Sequence, residues 1–187
     1  MHKKVIVAGL VGAIVLVVWT VVVNVFFGFN ARFNMKQLPN ERAVYSLLKT
    51  TVTEPGRYLC NPALTPDGRF PNREPVFGIQ YSGVGHEAAG IGVILDLLKY
   101  LIVPLISAWM LSKTSEQYRS RFINRLGFFV VIGLLLGITG DLSSFGIGGS
   151  PPTLAVLFAA RTVATWIVVG LAVAALMRPV RLTDSTE

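Results

Sequence analysis

Charge is what this sequence has least of. Asp, Glu, Lys and Arg make up 14% of its 187 residues, hydrophobic residues 52%, and the mean hydropathy is +0.60. A soluble domain carries about a quarter charged residues. The deficit excludes an ordinary soluble domain and places the chain in the membrane class. Cysteine is almost missing as well. With Cys60 alone there is no internal disulfide, no CxxCH haem attachment and no paired zinc motif. Cys60 either bonds to a partner chain outside the cytoplasm or, as is commoner for such a thiol, is buried in a strand. Catalytic signatures are missing too. Gly83-Val84-Gly85 lacks the GxxxxGK[ST] phosphate loop, and neither GxSxG nor HExxH occurs. No Ser, His and Asp set shares one credible location. These absences imply a non-catalytic protein without metal or cofactor.

What the chain has instead is long apolar stretches. Residues 88–112, AAGIGVILDLLKYLIVPLISAWMLS, are the one the rest is organised around. A bilayer-spanning helix needs about 20 apolar residues, and four stretches supply them. The first, 5–27, follows His2, Lys3 and Lys4. A signal peptide also begins with bases and an apolar run, but this run is about twice the length of a usual one. It reads as an uncleaved helix, with Gly9 and Gly12 as a close-packing notch and Trp19 and Asn24 toward its outer half. Pro104 is expected to bend the second helix, and Trp109 to anchor it at an interface. The third, 126–139, starts as early as Phe122 and carries a Gly133/Gly137 notch. The fourth, 154–177, has Ala155/Ala159 and Ala160/Ala164 as small faces. The expected organisation is a first transmembrane helix over 1–27 and an extracytoplasmic cap over 28–87. A three-helix transmembrane region over 88–178 and a cytoplasmic tail over 179–187 complete it.

The net charge of +7 invites a nucleic-acid reading, which its distribution opposes. Eight of the 17 basic residues fall in three short segments: Lys3 and Lys4; Lys113, Arg119, Arg121 and Arg125; Arg178 and Arg181. With the acids Glu116, Asp184 and Glu187 these segments carry +5, whereas 28–87 carries seven bases and five acids. The excess follows the positive-inside rule and sets both termini in the cytoplasm.

The outer segment holds local signals of its own. Asn40 is expected to cap a helix in which Val44, Leu47, Leu48 and Thr51 share a face. Glu54-Pro55-Gly56 ends it. Arg57–Cys60 reads as a short strand, and 75–82 as a second, with Phe77, Ile79 and Tyr81 on one face. Thr65-Pro66-Asp67-Gly68 is turn chemistry. One helix plus a β-hairpin is too small to bury a good core. The cap should therefore rest on the helix ends or on a partner. Arg57, Arg69 and Arg73 with Tyr58, Phe70 and Phe77 suggest either an outer docking patch or, more simply, a solvated hairpin with one packed face.

Four charges stand within or at the ends of the apolar stretches: Asp96, Lys99, Asp141 and Arg161. Such charges are costly in hydrocarbon, so they need one another or a purpose. At 1.5 Å per residue Asp96 lies roughly 12 Å below the outer end of its helix, and Arg161 reaches a similar depth. An Asp96–Arg161 pair with Lys99 near, and Asp141 above or facing water, is the economical arrangement. It serves as a register-fixing ion pair, a polar-ligand site or an ion path. Lys99 snorkelling, or 86–97 lying at the interface, are the plainer alternatives. The inner helix halves are almost wholly apolar, which weighs against a path. His86 is a ligand candidate, but a lone His at a helix start is more often at the surface.

At LPNERAVYSLLK…EPGRYLCNP (Leu38–Pro62) and EPVFGIQYSG (Glu74–Gly83) the chain resembles a family of small bacterial inner-membrane proteins. Asn40-Glu41, Val44, Leu48-Lys49, Gly56 and Tyr58 carry the resemblance, with Pro62 following. It implies an N-terminal helix, a periplasmic segment of LPxExxV…GxY type and three further helices. It brings no established activity, and it does not extend to the glycine-rich loop 141–152. The expectation is a mainly α inner-membrane protein, four transmembrane helices with a small α+β cap, acting as an accessory or assembly subunit. Its partners would be the lipid bilayer and other membrane subunits or a second copy, not nucleic acid. The alternative is a small transporter, channel or ligand sensor using Asp96, Lys99 and Arg161.

Overall fold

The computed structural model describes residues 2–33 and 36–178. The expected tail, 179–187, lies outside the described residues. Helix α1 (His2–Val21) continues through a π-helical turn, Val22–Phe26. Short α2 (Phe29–Phe33) and α3 (Glu41–Thr51) precede two strands, β1 (Gly56–Cys60) and β2 (Phe77–Tyr81). A single 3-10 turn, His86–Ala88, opens α4 (Ala89–Ser112). Then come α5 (Glu116–Ser120), α6 (Phe122–Leu136) with its π-helical extension Gly137–Asp141, and α7 (Pro152–Leu176). Four helices are long and apolar enough to cross a membrane: Lys3–Phe26, His86–Ser112, Phe122–Ser144 and Pro152–Leu176. They match the four stretches read from hydropathy.

Glycines decide how these helices meet. α1 lies between α4 and α7, and α7 between α1 and α6. A Cβ on Gly9 would stand 2.8 Å from the Leu105 Cα, and one on Gly12 2.8 Å from a Val173 methyl. Across the α6–α7 seam, Gly133 faces the Val163 Cα at 3.1 Å and Gly137 the Ala159 Cα at 3.4 Å. A side chain there would crowd the facing helix, so the small residues let the helices approach closely and gain dispersion contacts. The seams enclose Leu111, Phe129, Trp166, Val169 and Val173, with the Phe129 and Trp166 rings stacked at 6.3 Å.

Helix α4 joins this bundle with only its second half. Pro104, Ser107, Ala108, Leu111 and Ser112 are buried, whereas every residue from Ala89 to Lys99 is exposed.

The α+β unit between α1 and α4 is loosely made. β1 and β2 pair antiparallel, Tyr58 opposite Ile79, across a 61–76 connection. Asn40 precedes α3 as expected, but its side chain accepts no capping bond. It sits at φ 58°, and its backbone carbonyl accepts from Ala43 and Val44. A left-handed residue there turns the chain into the helix, a role Asn tolerates better than most residues. Val44 and Leu48 are half-buried, while Leu47 and Thr51 are exposed. The expected packed face of the hairpin is absent: Phe77 and Tyr81 are exposed and only Ile79 is half-buried. α3 buries no residue, so it offers that face no cover. Cys60 is exposed, correcting its expected burial. The hairpin rests on the α6–α7 loop. A Cβ on Gly78 would overlap the Gly148 carbonyl, and one on Gly148 would meet Leu59 at 2.5 Å.

Candidate functional site

The polar side chains of the bundle collect where α4 leaves it. α1 runs antiparallel to α4 and α7, so its last turns face the middle of α4 and the first half of α7. On α7, Arg161, Thr162 and Thr165 lie within one turn and a half. Arg161 Nη2 donates to Asn24 Oδ1 at 3.2 Å, beside α1, and the guanidinium stacks over Phe29 at 4.8 Å. The Thr162 hydroxyl donates to Asp141 Oδ2 at 2.6 Å, which ties α7 to the end of α6. The Trp19 indole N–H donates to Thr165 Oγ1 at 3.1 Å, and that hydroxyl donates to the Arg161 carbonyl at 2.8 Å. α1, α6 and α7 are thus cross-linked at one level by three side-chain bonds.

Beside this network lies a cleft of about 370 Å³. Its α1 wall is Thr20 and Leu16, its α4 wall Lys99, Tyr100 and Val103, its α7 wall Arg161, Thr162, Thr165 and Trp166, and α6 adds Leu136. On each of the three helices the polar members lie nearer the hairpin end of the bundle. The apolar ones, Leu16, Val103 and Trp166, lie nearer the opposite end.

The four charges of the apolar stretches are not one cluster. The expected Asp96–Arg161 pair is not formed. Lys99 Nζ donates to Asp96 Oδ1 at 2.7 Å along their own helix, with both side chains more than half exposed. The reason is the stance of α4: its first half stands clear of α7, and a partner three residues away on the same helix is nearer than any across the gap. Asp141 turns to Thr162, and Arg161 to Asn24. The cleft does bring Lys99 and Arg161 to opposite walls. His86 is exposed in the turn before α4. Among the described residues, no group of three His, Cys, Asp or Glu side chains is placed to hold a metal.

Two features escape the sequence. Asn24 and Trp19 sit in an apolar run without any motif, yet they take Arg161 and Thr165. A polar residue near the end of one span, at a depth matching a charge on another, was the available signal. Arg125, counted with the basic loop, is 2% exposed. Its Nε donates to the Ala174 carbonyl at 2.8 Å, and its Nη1 to the carbonyls of Arg119 and Ser120. Ala174 lies in the last turn of α7, where carbonyls lack helical partners and a cation is favoured. Comparisons with protein-family models, with curated proteins and with solved structures return no match to this chain.

Proposed function

We propose that the chain is a multi-pass protein of a bacterial inner membrane and serves as a non-catalytic accessory or assembly subunit of a larger membrane complex. Both termini lie in the cytoplasm and the hairpin outside. The clustering of Lys3, Lys4, Lys113, Arg119 and Arg121 at the end opposite the hairpin supports that orientation.

The observation behind the subunit role is the first half of α4. Every face of it is uncovered from Ala89 to Lys99, and it carries the Asp96–Lys99 pair there. Apolar faces sit well in lipid, but a half-exposed ion pair does not. Polar groups from the transmembrane helices of another subunit would relieve the pair and cover the helix.

Gentle solubilisation from the source membrane tests this. The protein should elute with a second membrane protein, and the joint substitution Asp96→Leu, Lys99→Leu should release it while leaving it folded. Elution of the unaltered protein as a stable lone chain, or only as a self-dimer, contradicts the proposal.

A ligand-sensing or transport role is favoured by one observation, the shared Lys99–Arg161 cleft. The apolar end at Leu16, Val103 and Trp166 supports binding over a through-route. Liposome flux abolished by Asp96→Asn would favour transport instead.

A further inference from the structure

Arg161 is a half-buried guanidinium among apolar helices, set over the Phe29 ring but balanced by no anion. Among the described residues no carboxylate lies within ion-pair distance of it, and Asn24 takes one of its five N–H donors. Lys99, on the facing wall, already has Asp96. A lone cation at this position is costly in hydrocarbon, and the natural remedy is an anion. The cleft also has the polarity of an amphiphile. On the α1, α4 and α7 walls Thr20, Lys99 and Arg161 lie toward the hairpin end and Leu16, Val103 and Trp166 toward the other, while Leu136 of α6 adds an apolar side chain at the hairpin end. Its volume of about 370 Å³ falls in the range of small-molecule sites, about 300–1,000 Å³.

We infer that the cleft binds an anionic amphiphile, with a phosphate or carboxylate headgroup on Arg161 and an apolar tail along Val103 and Trp166. This rests on the membrane placement proposed above but not on the subunit role. A planar guanidinium takes either headgroup through two parallel N–H donors. Such a molecule would point its head toward the hairpin end, as an outer-leaflet lipid does, but Arg161 lies roughly 12 Å below the helix ends, so the headgroup would sit deeper than those of the surrounding lipids.

Tryptophan quenching in nanodiscs tests it. Trp109 is exposed, Trp166 lines the cleft and Trp19 borders it through Thr165. In Trp109→Phe protein, phosphatidylglycerol with brominated tails should quench the remaining fluorescence more than brominated phosphatidylcholine does. Arg161→Gln should weaken the apparent affinity behind that excess by about tenfold, the size of one lost charged hydrogen bond. Val103→Phe, which fills the tail end, should remove the excess without touching the charge, and it decides the matter if Arg161→Gln fails to fold. Titrating dodecyl phosphate and laurate separately tells a phosphate lipid from a fatty carboxylate. Equal quenching by the two lipids, or an equal fluorescence change with inorganic phosphate alone, overturns the inference. Unaltered protein carrying Trp109 separates the two failures. If both lipids quench Trp109 without a phosphatidylglycerol excess, the membrane placement survives and the ligand site falls. If neither quenches it, the placement itself has failed.

Discussion

The first half of α4 and the α1–α7–α6 seams are both long, apolar helix and both contain glycine, yet they behave differently. In the apolar window of the α4 span 6% of residues are buried, against 22–28% in the other three. Hydropathy does not separate them. What separates them is what faces each glycine. Gly9, Gly12, Gly133, Gly137 and Gly170 each have a neighbouring helix where a Cβ would go, whereas Gly90 and Gly92 have open space. Apolar composition suits a helix to lipid; close backbone approach at small residues binds it to other helices. A glycine therefore marks a seam only when atoms of a second helix come to meet it.

The harshest test of this contrast is a pair of matched substitutions. Gly133→Leu should drive α6 from α7, because the added carbons meet Trp166 and the Val163 backbone. Overpacking costs about 1–3 kcal/mol, with the upper end expected where the obstacle is main chain. Gly92→Leu should leave the purified chain within about 0.5 kcal/mol of the parent, as substitutions on open surface do. Thermal unfolding in detergent measures both. If the Gly92 variant loses as much as the Gly133 variant, the first half of α4 is packed after all.

Next in size is Arg125→Leu, at the far end of the same seam. The change strands the Ala174, Arg119 and Ser120 carbonyls, and should cost about 2 kcal/mol, the scale of hydrogen bonds to a charged group. Arg125→Lys keeps the charge but loses the planar fork, so it should recover only part of the loss. Unfolding midpoints of the three proteins, compared at one detergent concentration, check the order. A lysine variant equal to the parent would mean that charge alone matters there.

The same contrast explains what could be read from the sequence. The four helices, the strand positions and the glycine notches are legible because each follows from a local pattern: a run, an alternation, a small residue three or four places after another. Gly9/Gly12 and Gly133/Gly137 were found in this way. Pairings between distant residues were not. Asp96 and Arg161 stand at comparable distances from their helix ends. Counting residues cannot show that α4 diverges, so depth alone pairs Asp96 with Arg161 rather than with Lys99. Arg125 was lost for a related reason. Its neighbours Arg119 and Arg121 make a basic loop in sequence, but only the end of α7 shows which of the three is drawn inside. The cap was readable as helix and hairpin, while its exposed Phe77 and Cys60 depend on the absence of a covering layer, which no local pattern records.

Smaller effects sharpen the difference between holding a fold and joining a partner. Asp96→Leu alone leaves Lys99 unpaired and should lower the yield of membrane-inserted protein, while Asp96→Leu with Lys99→Leu should restore it. In the purified chain the double change should shift stability by less than about 1 kcal/mol, as for any exposed ion pair. Under the subunit role proposed above, its larger consequence should be loss of the partner from the purified material. A double variant less stable than the single would indicate that the pair supports α4 itself.

The smallest expected effect is at Trp19→Phe. It deletes one interhelical hydrogen bond, from the indole to Thr165, and keeps the ring. Such bonds between membrane helices average about 0.6 kcal/mol, because a polar group released in the bilayer finds another partner. Thr165 has one at hand, since its hydroxyl already donates to the Arg161 carbonyl. The loss should therefore fall at or below that average in unfolding measurements. Trp19→Phe should also leave the Gly133→Leu penalty unchanged when the two are combined, because the α1–α7 bond and the α6–α7 seam share no partner atom. A strongly non-additive pair would mean that the polar network and the glycine seam form one cooperative unit, with α7 transmitting the change from α6 to α1. The distinction between tightly held and uncovered helix would then extend across the whole bundle rather than seam by seam.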